Sequence, residues 1–406
     1  MQSSIHSPLV SNMSLLTIGD PAPWFILPST SNLNYNFDTV AGHRVILCFL
    51  GSSKLKASAA VLDSFCNLQQ QFEQSETPFF GVFIDPDDVS LAHLVQKPTY
   101  FKLIWDFEQK VSRQYGVGAV ESEEGGDRLH YTPTTFVLDE NLRVLQVFPI
   151  QDPTHHVAQV LDFVQGLPAL EAPQFASRQA PVLLIPNVFN RDFCQHLIHL
   201  YETKGSRDSG FMRQVDGKTV EVMDYDFKQR RDFLVEDPPL LERVNHLILR
   251  RVKPEIEKAF QFSISRFERY LVACYESTNQ GFFNRHRDNT TKGTAHRRFA
   301  MSLNLNTGDY EGGCLSFPEY GNQLYQPGVG EAIIFSCSLL HEATPVTSGQ
   351  RFVLLSFFYN DEDARLREQN RRYVVLNPET NPTPKGSSAQ PQKSALGFQS
   401  KNRKKR

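Results

Sequence analysis

The chain has 406 residues, 40% of them hydrophobic and 21% charged, a balance ordinary for folded protein and too apolar for disorder. At about 100–200 residues per domain this length predicts two or three domains. A net charge of −3 argues against a nucleic-acid-coating protein, and no apolar run approaches the roughly 20 residues a membrane helix needs. The 31 Phe lean toward strand-built cores, because aromatics bury much area with few rotatable bonds. Six cysteines (Cys48, Cys66, Cys194, Cys274, Cys314, Cys337) are widely spaced with no CxxC pair, which predicts reduced, buried thiols and a cytoplasmic setting. Residues 1–14 lack a basic start and an apolar stretch, so they read as a flexible N-terminus and not as a secretory leader.

In chain order, 44–49 is a short apolar strand, and Val61, Leu62, Phe65, Leu68 and Phe72 recur at helical spacing. Residues 79–84 form another strand-like run. Residues 135–138 and 144–148 flank Asp139-Glu140-Asn141 as a hairpin, and a helix follows over 155–164. Strands alternating with helices suggest an α/β layer fold. Within this stretch, Gly19-Asp20-Pro21-Ala22-Pro23-Trp24-Phe25, Ala41-Gly42 and Tyr131-Thr132-Pro133-Thr134-Thr135-Phe136 resemble the peroxiredoxin branch of the thioredoxin fold. The resemblance spans residues 15–166 and puts Pro133 where that fold carries a cis-proline. It fails where the thiol chemistry belongs. The stretch Gly51 to Ser58 offers Ser58 at the position of the peroxidatic Cys, and serine forms no sulfenic acid. Cys48 and Cys66 read as core fillers, so this domain is expected to lack peroxidase activity and to serve as a protein-interaction module.

Leu167 to Pro181 carries three prolines and no sustained period, and reads as a linker. Residues 182–375 open with amphipathic helices, over Phe189 to Leu200 and over Pro239 to Phe260. Short strand-like runs then follow: 267–275, 282–288, 298–305, 313–317, 331–336 and 351–359. Many short strands at near-regular spacing indicate a sandwich or barrel. From 376 the composition turns to Pro, Ser, Gln, Asn and Lys. Seven basic residues and no acid lie beyond residue 384, so the net −3 divides into +7 for this tail and −10 for the rest. The tail reads as disordered, and its KNRKKR end is the one place where nucleic acid or another acidic surface could be met.

His286-Arg287-Asp288 could present a nitrogen and a carboxylate to one ion, since i and i+2 of a strand share a face. Alone the pattern is weak. It gains weight from His341, 55 residues on at the end of an apolar strand, because two His and one carboxylate make the facial triad suited to non-haem Fe(II). Arg351 follows ten residues later, and an inward arginine in an apolar barrel needs an anion. His296 and the pair His155-His156 read as surface residues. Arg230-Arg231-Asp232 sits in a segment that could flank a substrate entrance.

The ordered set of HxD, distal His and Arg resembles the 2-oxoglutarate and Fe(II)-dependent dioxygenases, in particular their prolyl 4-hydroxylase-like branch. Ala273-Cys274-Tyr275, Asn304-Leu305-Asn306 and Gly312-Gly313-Cys314-Leu315-Ser316-Phe317-Pro318 match in order and spacing. The resemblance implies a double-stranded β-helix, or jelly roll, with flanking helices. It also implies Fe(II) on His286, Asp288 and His341, and 2-oxoglutarate with its far carboxylate on Arg351, in a pocket lined by Tyr275. Asn304 stands where many relatives have tyrosine, and its amide is expected to donate to that carboxylate. The implied activity is hydroxylation of a peptidyl or small-molecule C–H bond with O₂, releasing succinate and CO₂, with L-ascorbate as reductant. A non-catalytic sensor or scaffold, and a thiol peroxidase acting through the first domain, are the alternatives.

Overall fold

Alternation over residues 45–50 decides how the first half is layered. Ile46, Cys48 and Leu50 join one core; Val45, Leu47 and Phe49 join the other, and all six are buried. A strand buried on both faces lies centrally in a covered sheet. In the computed structural model, which describes residues 14–123, 126–176 and 178–375, the strand Val45–Gly51 indeed holds the middle of five. Phe79–Phe83 and Phe101–Trp105 run parallel to it on one side; on the other Thr134–Leu138 pairs with it antiparallel, and Val144–Pro149 pairs antiparallel with Thr134–Leu138. Helices Lys56–Cys66 and Pro153–Gln165 contribute Val61, Phe65, Val157 and Val160 to one face.

Two local expectations need correction. The helix carrying Val61 to Phe72 is broken into Lys56–Cys66 and Gln69–Ser75; Leu68 leaves helical geometry (φ −106°, ψ 7°), yet Phe65 and Phe72 still share a core. The Thr132–Pro133 peptide is trans, the lower-energy isomer of an X–Pro bond.

The chain divides into two compact units between Pro173 and Gln174. In the second, strand Val346–Tyr359 pairs with Leu271–Glu276 and Phe299–Asn304 as the centre of a large antiparallel sheet. Its alternate residues Phe352, Leu354 and Phe358 pack with the helices, and Val353, Leu355 and Phe357 face the second core between the sheets. A smaller sheet runs Lys228–Gln229, Phe282–His286, His341–Ala343, Leu315–Ser316, Leu324–Tyr325. These two sheets make the jelly roll. The expected single helix over 239–260 is two, Pro238–Arg251 and Lys253–Phe260, because Pro254 has no N–H and its ring opposes the carbonyl four residues back. No helix among the described residues is long and apolar enough to cross a membrane. The expectations for residues 1–13 and for the tail 376–406 lie outside the described residues.

Candidate metal and cosubstrate site

His286 ends the strand Phe282–His286 and faces His341, the first residue of His341–Ala343, as its register partner. Asp288 lies just past the strand, contrary to the shared-strand expectation. It is placed instead by its own backbone: its N–H donates to Cys337 O (2.9 Å), and its carbonyl accepts from Arg297 Nη1 (3.3 Å). The imidazole Nε2 atoms of His286 and His341 lie 3.6 and 3.5 Å from the two Asp288 oxygens. One ligand atom from each residue fits within 4.8 Å of the others, and no other group of three or more such residues is found among the described residues.

The rings are also set in the correct tautomer. His286 Nδ1 lies 2.7 Å from Asn284 O and His341 Nδ1 3.0 Å from Leu339 O. A carbonyl only accepts, so each Nδ1 carries the hydrogen and leaves the Nε2 lone pair bare for a metal. Burial pushes the His341 imidazole down to about 4, which keeps it neutral. Burial works the other way on Asp288, but the adjacent His341 and His286 and the Arg297 charge outweigh it and hold the carboxyl at about 2. The neutral His341 nitrogen beside the ionised Asp288, with His286 Nε2 across from it, is a donor set that a divalent cation takes.

Arg297 is itself fixed by a buried fork to Glu268, through Nε (2.6 Å) and Nη2 (2.8 Å). His296, expected on the surface, is buried against Glu268 (3.4 Å) and the Tyr359 ring. His155 is exposed, whereas its neighbour His156 is buried on Thr135 (2.7 Å). The polar string Ala295-His296-Arg297-Arg298 hid this arrangement, because its counter-ion comes from a distant strand connection.

Register brings the cosubstrate candidates together. Tyr275 pairs with Arg351, and Asn304 pairs with Val353, one same-face step away. Arg351 is 2% exposed, with its guanidinium 5.2 Å from the Tyr275 ring centre. Its Nη2 donates to Asn304 Oδ1 (3.2 Å) and Ser302 Oγ (3.3 Å), and its Nε has no hydrogen-bond partner among the described residues. Asn304 cannot donate outward as expected: its amide already serves Thr307 Oγ1, Tyr310 OH and Pro327 O at 3.0, 3.1 and 2.9 Å. It accepts from Arg351 and so positions it. Gly313 (φ +60°), which the sequence offers only as part of a motif with no role of its own, makes room for the arginine stem; a Cβ there would stand 2.8 Å from Arg351 Cδ. A cavity of about 630 Å³ is lined by Tyr275, His286, Asp288, His341 and Arg351 together, and Lys228 and Arg230 line it too.

Comparison with known proteins agrees with this geometry. Residues 270–359 match the 2OG-Fe(II) oxygenase superfamily, and residues 18–147 match the AhpC/TSA family. A PKHD-type hydroxylase of Shewanella oneidensis is 30% identical over 199 residues, 45% of this chain and 80% of that protein. This chain is a 2OG-Fe(II) oxygenase fused to an AhpC/TSA-family domain. A protein named as a peroxiredoxin from Coxiella burnetii is 28% identical over 149 residues, covering 36% of the oxygenase chain and 97% of the relative. Among solved structures, a viral collagen prolyl hydroxylase from Paramecium bursaria Chlorella virus-1 aligns at 17% identity and TM-score 0.34, over 44% of the oxygenase and 96% of that chain.

The family implies Fe(II) and 2-oxoglutarate, and the residues fit both. Two bare imidazole nitrogens and a carboxylate suit Fe(II) with positions left open. Among the described residues the buried Arg351 has no acid beside it and its Nε no partner, which suits a carboxylate. In the AhpC/TSA-family unit, Ser58 is fully buried with Oγ donating to Leu50 O (2.6 Å). Cys48 is buried in its strand, where desolvation pushes the thiol up to about 12, and Cys66 is raised to about 11. Neither is a thiolate near neutral pH.

Proposed function

We propose that the oxygenase hydroxylates a C–H bond of a peptidyl or small-molecule substrate in the manner of the prolyl 4-hydroxylase-like branch, using O₂ and releasing succinate and CO₂. The observation that carries this reading is the sharing of one cavity by the His286, Asp288 and His341 cluster and the bare Nε of Arg351. The order and spacing of the sequence motifs support the prolyl 4-hydroxylase-like assignment.

Fe(II), 2-oxoglutarate and O₂, when bound, would supply the chemistry that replaces hydrogen by hydroxyl while oxoglutarate is cleaved. The protein's part is positional. His286, Asp288 and His341 would hold the metal from one side, with the histidine hydrogens kept on carbonyls so that both rings ligate neutral. Arg351 would grip the far carboxylate of oxoglutarate, with Asn304 and Ser302 fixing the guanidinium and Tyr275 covering its face. L-ascorbate is the expected reductant.

Incubating the full chain with Fe(II), oxoglutarate and ascorbate tests the reading. Succinate release and a gain of one oxygen by mass spectrometry on prolyl peptides or amino acids are expected, and His286→Ala and Asp288→Ala should abolish both. A full chain that binds no Fe(II) would overturn it. The AhpC/TSA-family unit is read as an interaction module without peroxidase activity, in a cytoplasmic protein. Peroxide consumption that disappears on replacing Cys48 or Cys66 would sink that assignment.

A further inference from the structure

Three cations lining the cavity are nearly fully buried: Arg297, Arg351 and Lys228, with exposures of 6%, 2% and 5%. Arg297 is neutralised by Glu268. Arg351 would take the far carboxylate of oxoglutarate, as proposed above. Lys228 remains. Its Nζ donates to Ser209 Oγ (2.7 Å) and Gly210 O (2.6 Å), both neutral, and it forms no ion pair among the described residues. Asp232, the acid that acts most strongly on it, is already held by Arg230 through Nε and Nη2, each at 2.7 Å. Glu221 also acts on it through space, while Arg230 and Arg269 add positive charge around it, and burial pushes the ammonium well below the usual lysine range.

A buried ammonium without a counter-ion costs several kcal/mol that a methionine of similar shape would avoid. The wall is nevertheless built to keep it. Ser209 Oγ gives its own hydrogen to Asp232 and accepts from both Lys228 and Arg230 (3.2 Å), so the lysine head is held with one N–H left over. Nζ lies 4.8 Å from the centre of the Phe283 ring, and the same ring stacks on the candidate metal ligand His286 at 3.6 Å. An anion on Lys228 therefore stands one aromatic ring from the candidate metal ligand, a span that suits a small molecule or a chain end.

Resting on the hydroxylase reading above, we propose that Lys228 binds a carboxylate of the substrate, so that the oxygenase acts on a free-carboxylate amino acid or a C-terminal residue and not on an internal peptide segment. The test uses the full chain loaded with Mn(II) and 2-oxoglutarate, which permits binding without turnover. N-acetyl amino acids and their carboxamides, the proline pair first, are titrated by calorimetry. An acid at least about tenfold tighter than its amide is expected, the size of a charge-assisted contact. Lys228→Met should bring the acid down to the amide, Lys228→Arg should keep a preference, and oxoglutarate affinity should stay within about twofold in both. The wild-type comparison stands even if a variant does not fold. If no acid exceeds its amide, or if Lys228→Met weakens oxoglutarate instead, the proposal is overturned. Failure of the hydroxylase reading shows separately, as absence of Fe(II)-dependent succinate release alongside an intact acid preference.

Discussion

At the scale of single residues, the candidate site depends on groups that hold other groups. Arg351 passes its stem through space that exists because position 313 has no Cβ, and Gly313 sits at φ +60°, where an L side chain is strained. Gly313→Ala should therefore displace the guanidinium, and calorimetry should find oxoglutarate affinity reduced at least about tenfold, the loss of one charged hydrogen-bonded contact. Undiminished affinity would mean that Arg351 does not carry the far carboxylate. His156 supports a pH argument in the other unit. Burial lowers its imidazole from 6.5 to about 4. Between those values the unfolded chain takes up a proton that the folded unit refuses, so stability is full above about pH 6.5 and falls as pH drops toward 4. Both tryptophans, Trp24 and Trp105, lie in this unit and report its unfolding alone. Chemical denaturation followed by their fluorescence should lose on the order of 2 kcal/mol across that window, and His156→Leu should flatten the loss.

At the scale of elements, the helix Asp361–Asn370 is tied to the sheet at its first turn. Asn360 Oδ1 accepts from Asp363 N–H (2.9 Å), Asp363 returns the bond to Asn360 N–H, and the buried Asp363 also takes Arg298 Nε (2.8 Å). Asn360→Ala should cost about 1 kcal/mol and Asp363→Ala more, read as a graded fall in the denaturation midpoint of the C-terminal unit. Elements of this sort separate what was legible in sequence from what was not. The strands with continuous apolar runs, 45–50 and 351–359, were readable because both faces are buried. The hairpin Phe211–Val215 with Lys218–Val222 was missed because polar residues interrupt both strands and only Thr219 is fully buried. Its Asp216-Gly217 turn, at φ +48° and +76°, was the available signal. Strand Phe101–Trp105 was masked by a buried lysine, Lys102, lying over the Tyr35 and Phe80 rings. The metal candidates were legible because spacing constrains them. Lys228 and Glu268 were not, because their roles come from partners that only the fold brings near.

At the scale of the whole molecule, each unit owns its core. The apolar clusters of the first draw on residues from Leu16 to Val160, and those of the second on Ala180 to Phe358, with none shared. Between them, residues 168–176 and Arg178 are exposed and lie in no helix or strand. Backbone of that kind enters a protease without the loss of a ladder or a buried side chain. Brief trypsin treatment of the intact protein should therefore cut after Arg178 and release two fragments that remain folded. All seven residues proposed for the metal and cosubstrate lie on the C-terminal side of that cut. The larger fragment should accordingly keep the Fe(II) and oxoglutarate affinity of the intact chain within about threefold, a difference of well under 1 kcal/mol. A fragment that loses oxoglutarate on cleavage would show that the first unit props up the second, and that the two cores are independent only in their packing.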